Sequence, residues 1–441
     1  MILKQVRAIT VIALLACGTV LSSPVFAANE AMMELLKVLH ENGTIDDATY
    51  GLLKNSAAAD AERTDAKIEE TAEQKLASVN KISDKLKWAE RIKLKGDLRL
   101  RWENEENDPE VGETTNRERY RYRLRVGADA EVNDKVKVGV GIASGGRGSN
   151  DANDSGNARS TNQNFDGNFG TKSLDLDYAY AQWKATDNIT VIGGKFKRKP
   201  FLWTPTDMLW DSDINPEGVS AHGELKNSLG TTYANFGYWI LDEFDSASAS
   251  GDSDDVNLTY FQIGQKFKSG NFFGNVAGIY YNFDNLSDAT GGTNGISFGT
   301  TTVNDLDSFG LSAEVGMKDF LIAGKQVSVF ADYVNNDESG VDEDTGIAIG
   351  FKFGDKKVKQ RHQWQIKYVN VDLEQDAFLA SYPDSDRFGG STGVKAHEIA
   401  LKYGLAKNVY LGLDYYDSEI DAPGLDDDEQ ELLQIDLVTK F

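Results

Sequence analysis

From Ile92 to Phe441 the chain alternates apolar and polar residues in short runs, and the connections between the runs alternate between short and long. A period of two places successive side chains on opposite faces of a strand. Leu94, Leu98, Leu100 and Trp102 fall on one face, and Lys93, Lys95, Asp97, Arg99 and Arg101 on the other. The pattern predicts sixteen strands near 92–105, 117–131, 135–145, 173–185, 189–197, 218–227, 229–243 and 256–268, then 271–284, 306–318, 325–336, 345–354, 360–373, 394–404, 408–418 and 430–441. Short connections follow even strands, as at 132–134, 186–188, 227–228, 269–270 and 405–407. Most long, polar ones follow odd strands, at 146–172, 198–217, 244–255, 285–305, 374–393 and 419–429. Soluble sandwiches and propellers have no reason to send every long loop to one end, whereas a transmembrane barrel has. The expected fold is all-β, a transmembrane antiparallel β-barrel over 91–441.

The face pattern says which side meets lipid. Val136, Val138, Val140 and Ile142 oppose Lys135, Lys137, Gly139 and Gly141. Phe309, Leu311, Ala313, Val315 and Met317 oppose Ser312, Glu314 and Lys318, and Ile347, Ile349, Phe351 and Phe353 oppose Lys352. A barrel with a dry core needs apolar inner residues; the charged second face predicts a wet interior.

Residues 1–27 read as a signal peptide. Lys4 and Arg7 precede the apolar run Ile9–Leu21, and Val25 and Ala27 suit cleavage after Ala27. Two other readings are a retained anchor, for which the run is short, and lipoprotein processing at Cys17, the only cysteine. Residues 28–90 read as a helical segment on the periplasmic side. Its breaker is Glu41-Asn42-Gly43-Thr44, and its seam of Ile68, Ala72, Lys75, Val79, Ile82 and Leu86 fits a coiled coil or a solvated spacer.

Composition narrows the function classes. A formal charge of −24 argues against a nucleic-acid partner. A mean hydropathy of −0.43 argues against a polytopic helical membrane protein.

Charge concentrates on the first two strands. Strand two runs Arg117-Glu118-Arg119-Tyr120-Arg121-Tyr122-Arg123-Leu124-Arg125, with all five arginines on one parity. With Arg99 and Arg101 next door they predict a positive stripe on the lumen wall, because guanidinium stays charged and is costly against lipid. Lys195 and Lys197 on strand five extend the stripe. The next connection, 198–217, holds three of the seven prolines, the apolar aromatics Phe201, Trp203 and Trp210, and the carboxylates Asp207, Asp211, Asp213 and Glu217. So apolar a loop is expected to fold inward.

This loop resembles the Gly-x-Phe-Lys…Pro-Phe stretch of phosphate-selective porins, and more closely the Pro-Phe…Asp…Asn-Pro-Glu-Gly run of the bacterial putative porin family. The terminal Phe441 on an amphipathic last strand resembles the assembly signal of bacterial outer-membrane barrels, with Thr439 where an aromatic is common. The resemblance implies a Gram-negative outer-membrane porin, trimeric or monomeric. Its partners would be membrane lipid, lipopolysaccharide and the barrel assembly machinery, with the cell wall reached through the helical neck. It also implies that the loop after strand five narrows the channel, setting Asp207, Asp211, Asp213 and Glu217 opposite the arginines. These charges then either make a transverse field or only neutralise one another.

Three functions stand: a passive channel for small hydrophilic solutes and ions, a substrate-specific channel for phosphate or another anion, and a structural anchor. No cofactor is expected. Asp252-Ser253-Asp254-Asp255, Asp342-Glu343-Asp344 and Asp426-Asp427-Asp428-Glu429 are solvated loops or loose Ca²⁺ or Mg²⁺ sites. The four histidines lack metal-ligand spacing. Ser220 with His222 is the one local hint of an enzyme, and lumen lining explains it equally well.

Overall fold

The computed structural model describes residues 31–86, 89–145, 158–243, 255–286, 306–338, 342–422 and 428–441. The expected signal peptide, Asp252-Ser253-Asp254 and Asp426-Asp427 lie outside the described residues. The chain divides into two compact units, Met1–Glu90 and Arg91–Phe441.

In the first unit a helix over 31–41 ends in a turn at Asn42 and Gly43, and a second helix spans Asp47–Leu86. Asp46 caps the second, its Oδ1 accepting the Thr49 N–H at 2.8 Å. Nothing between Leu53 and Ala57 breaks the backbone, so Asp47–Leu86 is one continuous helix, rich in Ala, Glu and Lys. Ile68 and Val79 of the seam are exposed. Among the described residues no helix is long and apolar enough to cross a membrane.

The second unit is a closed antiparallel barrel of sixteen strands. In chain order β1–β8 are Ile92–Asp108, Thr115–Glu131, Val136–Ala143, Asp175–Lys184, Ile189–Lys195, Glu217–Asn227, Gly230–Asp242 and Val256–Ser269. Strands β9–β16 are Phe272–Asp284, Leu306–Lys318, Gln326–Asn336, Thr345–Gly354, Trp364–Leu373, Val394–Ala406, Val409–Ile420 and Glu429–Lys440. Each pairs with its sequence neighbour, and β1 closes the ring on β16 with Leu100 opposite Leu437. Closure leaves no strand edge unpaired, which hydrocarbon demands. A two-residue bridge, Gln163–Asn164, adds to β2 opposite Tyr122 and Arg121.

One end carries the tight turns. Asn227 Oδ1 accepts the N–H groups of Leu229 and Gly230 at 2.9 and 3.0 Å, and Asn133 Oδ1 those of Lys135 and Val136 at 2.9 Å. Such side-chain mimicry of backbone suits Asn in tight turns. The exceptions are 319–325 and 355–363, the second a longer turn folded back on β14.

Val138, Val140, Ile142, Leu311, Val315, Ile347 and Ile349 are exposed on the outer face, as the alternation predicts. Inside, Tyr178 lies across Gly141, where an added Cβ would come within 2.2 Å of the ring. Part of the bore is apolar and not wet. Strands β7–β14 bury Trp239, Leu258, Tyr281, Phe330, Val371 and Val394 inward, in one apolar cluster with loop residues. At their loop ends these strands carry apolar residues on both parities because inward-folded loops cover the inner face.

Replacing lipid-facing Ile349 by Arg should destabilise the barrel by about 2–4 kcal/mol at mid-depth. Urea titration of folded protein, read as the folded band on unheated gels, measures it; an unchanged midpoint would contradict the face assignment.

Candidate functional site

The loop 196–216 leaves β5 and enters the bore. Phe201 accepts a hydrogen bond on its carbonyl from the Tyr260 hydroxyl (2.8 Å), and the Trp203 N–H donates to Gln262 Oε1 (3.0 Å). Further on, the Thr206 N–H donates to Asp332 Oδ2 on β11 (2.9 Å). Arg198 ties the loop to itself, donating to Thr204 Oγ1 (3.1 Å) and the Trp210 carbonyl (3.2 Å). The chain then returns to the first strands, where Asp213 meets Arg125 at 2.9 Å and Arg123 at 3.6 Å. This one segment thus reaches both β11 and β2 from inside, as its apolar content predicts.

A second inward loop, 374–393, escaped the sequence reading, which counted it among the polar ones. Phe378, Leu379 and Tyr382 were the available signal, the same kind of apolar content that marked the first loop. Trp210 is 1% exposed, stacked on Tyr382 at 5.0 Å between ring centroids and edge-on to Phe378. It therefore fixes loop to loop instead of lining an aperture. Asp211 is the polar link: its N–H donates to the Tyr382 carbonyl (2.7 Å), and its Oδ2 accepts Ser385 N–H (3.1 Å) and Oγ–H (3.2 Å). Arg159, from the loop after β3, holds the same segment by its Gly390 carbonyl at 2.8 Å.

Arg387 is the electrostatic centre of the second loop. Its guanidinium pairs with Asp207, with Glu398 at 3.1 Å and with Asp384 at 3.5 Å. The three carboxylates lie close enough together to hold a metal, but the guanidinium sits among them and supplies the positive charge. Burial works against ionised Asp207, yet Arg387 and Lys367 hold its carboxyl below the usual range. Asp211 is pushed the other way, up to about 7, by burial and by neighbouring Asp213.

The arginine stripe faces the lumen and is matched by acid. Arg101, 3% exposed at its side chain, forks onto Asp436 at 2.7 and 2.9 Å and approaches Glu103 and Asp386. Arg99 reaches Asp436 at 3.5 Å. Arg119 and Arg121 share Glu103, with Arg119 also on Glu105 at 2.6 Å; Arg123 and Arg125 share Asp97 at 2.8 and 2.9 Å. Arg117 lies exposed at the loop end. On this side exposure is uneven, 24% at Arg125 and 28% at Asp386 against 3% at Arg101 and 1% at Glu103.

Two residues are placed differently from the sequence reading. Lys195 and Glu217 pair at 2.7 Å on the outer face, opposite one another in register and in line with exposed Val219. Strand β5 ends at Lys195, so regular alternation no longer governs the residues beyond it. Lys197 does face the lumen, on Asp177 at 2.9 Å. Ser220 and His222 do not act together: Ser220 meets Trp239 and Tyr260, and His222 meets Asn235 at 2.6 Å.

A closed sixteen-stranded barrel with loops folded into its bore and a charged inner wall is an outer-membrane channel, not an enzyme. The profile of the putative porin family matches residues 102–309 and 315–441, and the chain belongs to that family. Among solved structures, OprB of Pseudomonas putida shares the fold, with 13% identity, a TM-score of 0.52, and 80% of this chain and 95% of that one covered. OmpF of Salmonella typhi (11% identity, TM-score 0.46) covers 79% and 97%, and the outer membrane channel DcaP of Acinetobacter baumannii (15%, 0.44) covers 79% and 97%. No curated protein matches the sequence.

The raised Asp211 carboxyl gives a signed prediction. A carboxyl whose pKa rises on folding binds more protons in the native state between about pH 4 and 7, so its contribution to stability falls as pH rises through that window. Protease resistance of the inward loops should therefore drop between about pH 4 and 7 in the wild type and vary less in Asp211→Asn. Equal pH slopes would refute the assignment.

Proposed function

We propose that the protein is a passive diffusion channel for small hydrophilic solutes and ions, with its tight turns on the periplasmic side. The observation that carries this reading is the division of the bore. Two loops fill the β7–β14 side with apolar packing, while β1, β2 and β16 keep a wall of paired charges that stays partly exposed at Arg119, Arg121 and Arg125. Water and ions follow the charged side, where fixed charges and dipoles replace part of a solute's hydration. Because Asp97, Glu103, Asp213 and Asp436 match the arginines, weak ion preference is the reading favoured over strong anion selection. The exposed seam of the long helix supports self-association, which would give the homotrimer.

Purified protein in a planar bilayer should conduct in discrete steps; an electrically silent barrel would overturn the channel reading and favour an anchor. Replacing Arg121 and Arg123 by Ala leaves Glu103 and Asp97 undercompensated. The reversal potential in a salt gradient should then move toward cation preference, and an unmoved potential would remove the stripe from any role in selection. Ile68→Glu with Val79→Glu should lower the trimer fraction in sedimentation velocity if the helix mediates assembly.

A further inference from the structure

The turn end of the barrel contains a recess of about 540 Å³ lined by Lys356, Lys357, Lys359, Lys402 and Lys440. Among the described residues, none of the five has a carboxylate within ion-pair distance. Elsewhere on the lumen wall Lys95, Lys197, Lys266 and Lys367 each pair with an acid, and Lys352, unpaired among the described residues, stands alone over the Phe330 ring at 4.3 Å. The nearby Asp355 is already engaged, by Lys325 and by the Trp364 N–H at 2.8 Å. Asp414, on the wall near Lys402, stays beyond ion-pair distance.

The recess is built, not a loose basic loop. Gln363 Oε1 accepts the N–H groups of Lys359 and Gln360 at 2.8 and 2.9 Å, closing the turn 355–363 on itself. The His362 N–H donates to the Gly404 carbonyl and the Gly404 N–H to the Gln363 carbonyl, both at 2.8 Å, while the Asn408 N–H donates to the Lys359 carbonyl at 2.8 Å. Gly404 permits this approach, since a Cβ there would lie 2.0 Å from the Gln360 carbonyl oxygen. Three lysines on the pinned turn thus meet two from the wall, Lys402 and Lys440. The Lys440 ammonium is further placed 5.4 Å above the Tyr410 ring.

Five like charges in one concavity repel each other, and the field concentrated there attracts a counter-ion. Lys ammonium groups offer only donors, and the side-chain amide of Asn408 on the same lining adds a neutral one, while that of Gln365 is spent on the Asp355 carbonyl at 2.8 Å. We propose that this recess is a binding site for a phosphate-class oxyanion. Multivalence suits it because one monovalent ion leaves most of the lysine charge unmatched. The phosphate can come from a free solute or from a lipid headgroup, since Phe441 on the lining is also exposed at the barrel's edge. The site goes beyond the diffusion reading and does not require it.

The test is titration of the full-length protein with inorganic phosphate at constant ionic strength, followed by calorimetry and ³¹P line broadening. Saturable binding is expected, and Lys402→Gln with Lys440→Gln should raise the half-saturating phosphate about tenfold, as loss of charge-assisted hydrogen bonds implies. Lys356→Gln, Lys357→Gln and Lys359→Gln together alter only the turn and should do the same if the strand variant fails to fold. Vesicles of phosphatidylcholine and phosphatidylglycerol separate the sources: weaker phosphate binding in the anionic lipid assigns the site to headgroups, and equal binding assigns it to free solute. Non-saturable uptake, or variants indistinguishable from wild type, would overturn the site. Binding by a protein that does not conduct would count against the channel reading alone.

Discussion

Everything in the second unit depends on the backbone ladder between β1 and β16. It runs from Asp97 opposite Lys440 to Asp108 opposite Glu429, and it turns a sixteen-stranded sheet into a surface without edges. In hydrocarbon an unpaired N–H or C=O finds no water, so the ladder has to be complete before the outer face can be apolar. The face alternation follows from closure, since each residue along a strand lies either toward lipid or toward the bore. With the outside committed to hydrocarbon, charge must go inward.

Inside the barrel two demands are in balance. Loops rich in Trp, Phe and Leu lower their free energy by leaving water, and the inner wall of β7–β14 offers Trp239, Tyr281 and Phe330 to receive them. Charged groups cannot share that region without partners, because breaking a buried pair costs several kcal/mol. Hence the two inward loops bring carboxylates to arginines: Asp213 to Arg125, Asp386 toward Arg101, and Asp207 of the first loop to Arg387 of the second. The apolar cluster sets where the loops lie, and the ion pairs set which polar surface remains beside them.

The sequence made the barrel legible because period-two alternation is a local property. A strand such as Val136–Ala143 announces its two faces without reference to its neighbours. Turn chemistry at Asn133 and Asn227 was equally local. Site details were not, because they depend on contacts far apart in the chain. Arg101 meets Asp436, Arg387 meets Asp207, and the turn at Lys359 meets Asn408. The arginine parity indicated a charged wall but not the acids that match it. Lys195 lies within β5 on the parity opposite buried Ile192, so its charge suggested the wrong face, while Lys197 reaches the lumen only because the strand has ended. Phe378 and Tyr382 were visible as apolar residues in a loop, but their destination depended on Trp210, which a local reading leaves unconnected.

The fork from Arg101 to Asp436 has a consequence for how the chain becomes a barrel. The partners are 335 residues apart, on the first strand and the last. Until the final strand arrives, the guanidinium lacks its bidentate acceptor, and so does every backbone group along that seam. Charge matching and hydrogen bonding are therefore satisfied in the same late event. A strand joined out of register would sacrifice both together, so the seam works as a keyed fastener that recognises its own correct alignment.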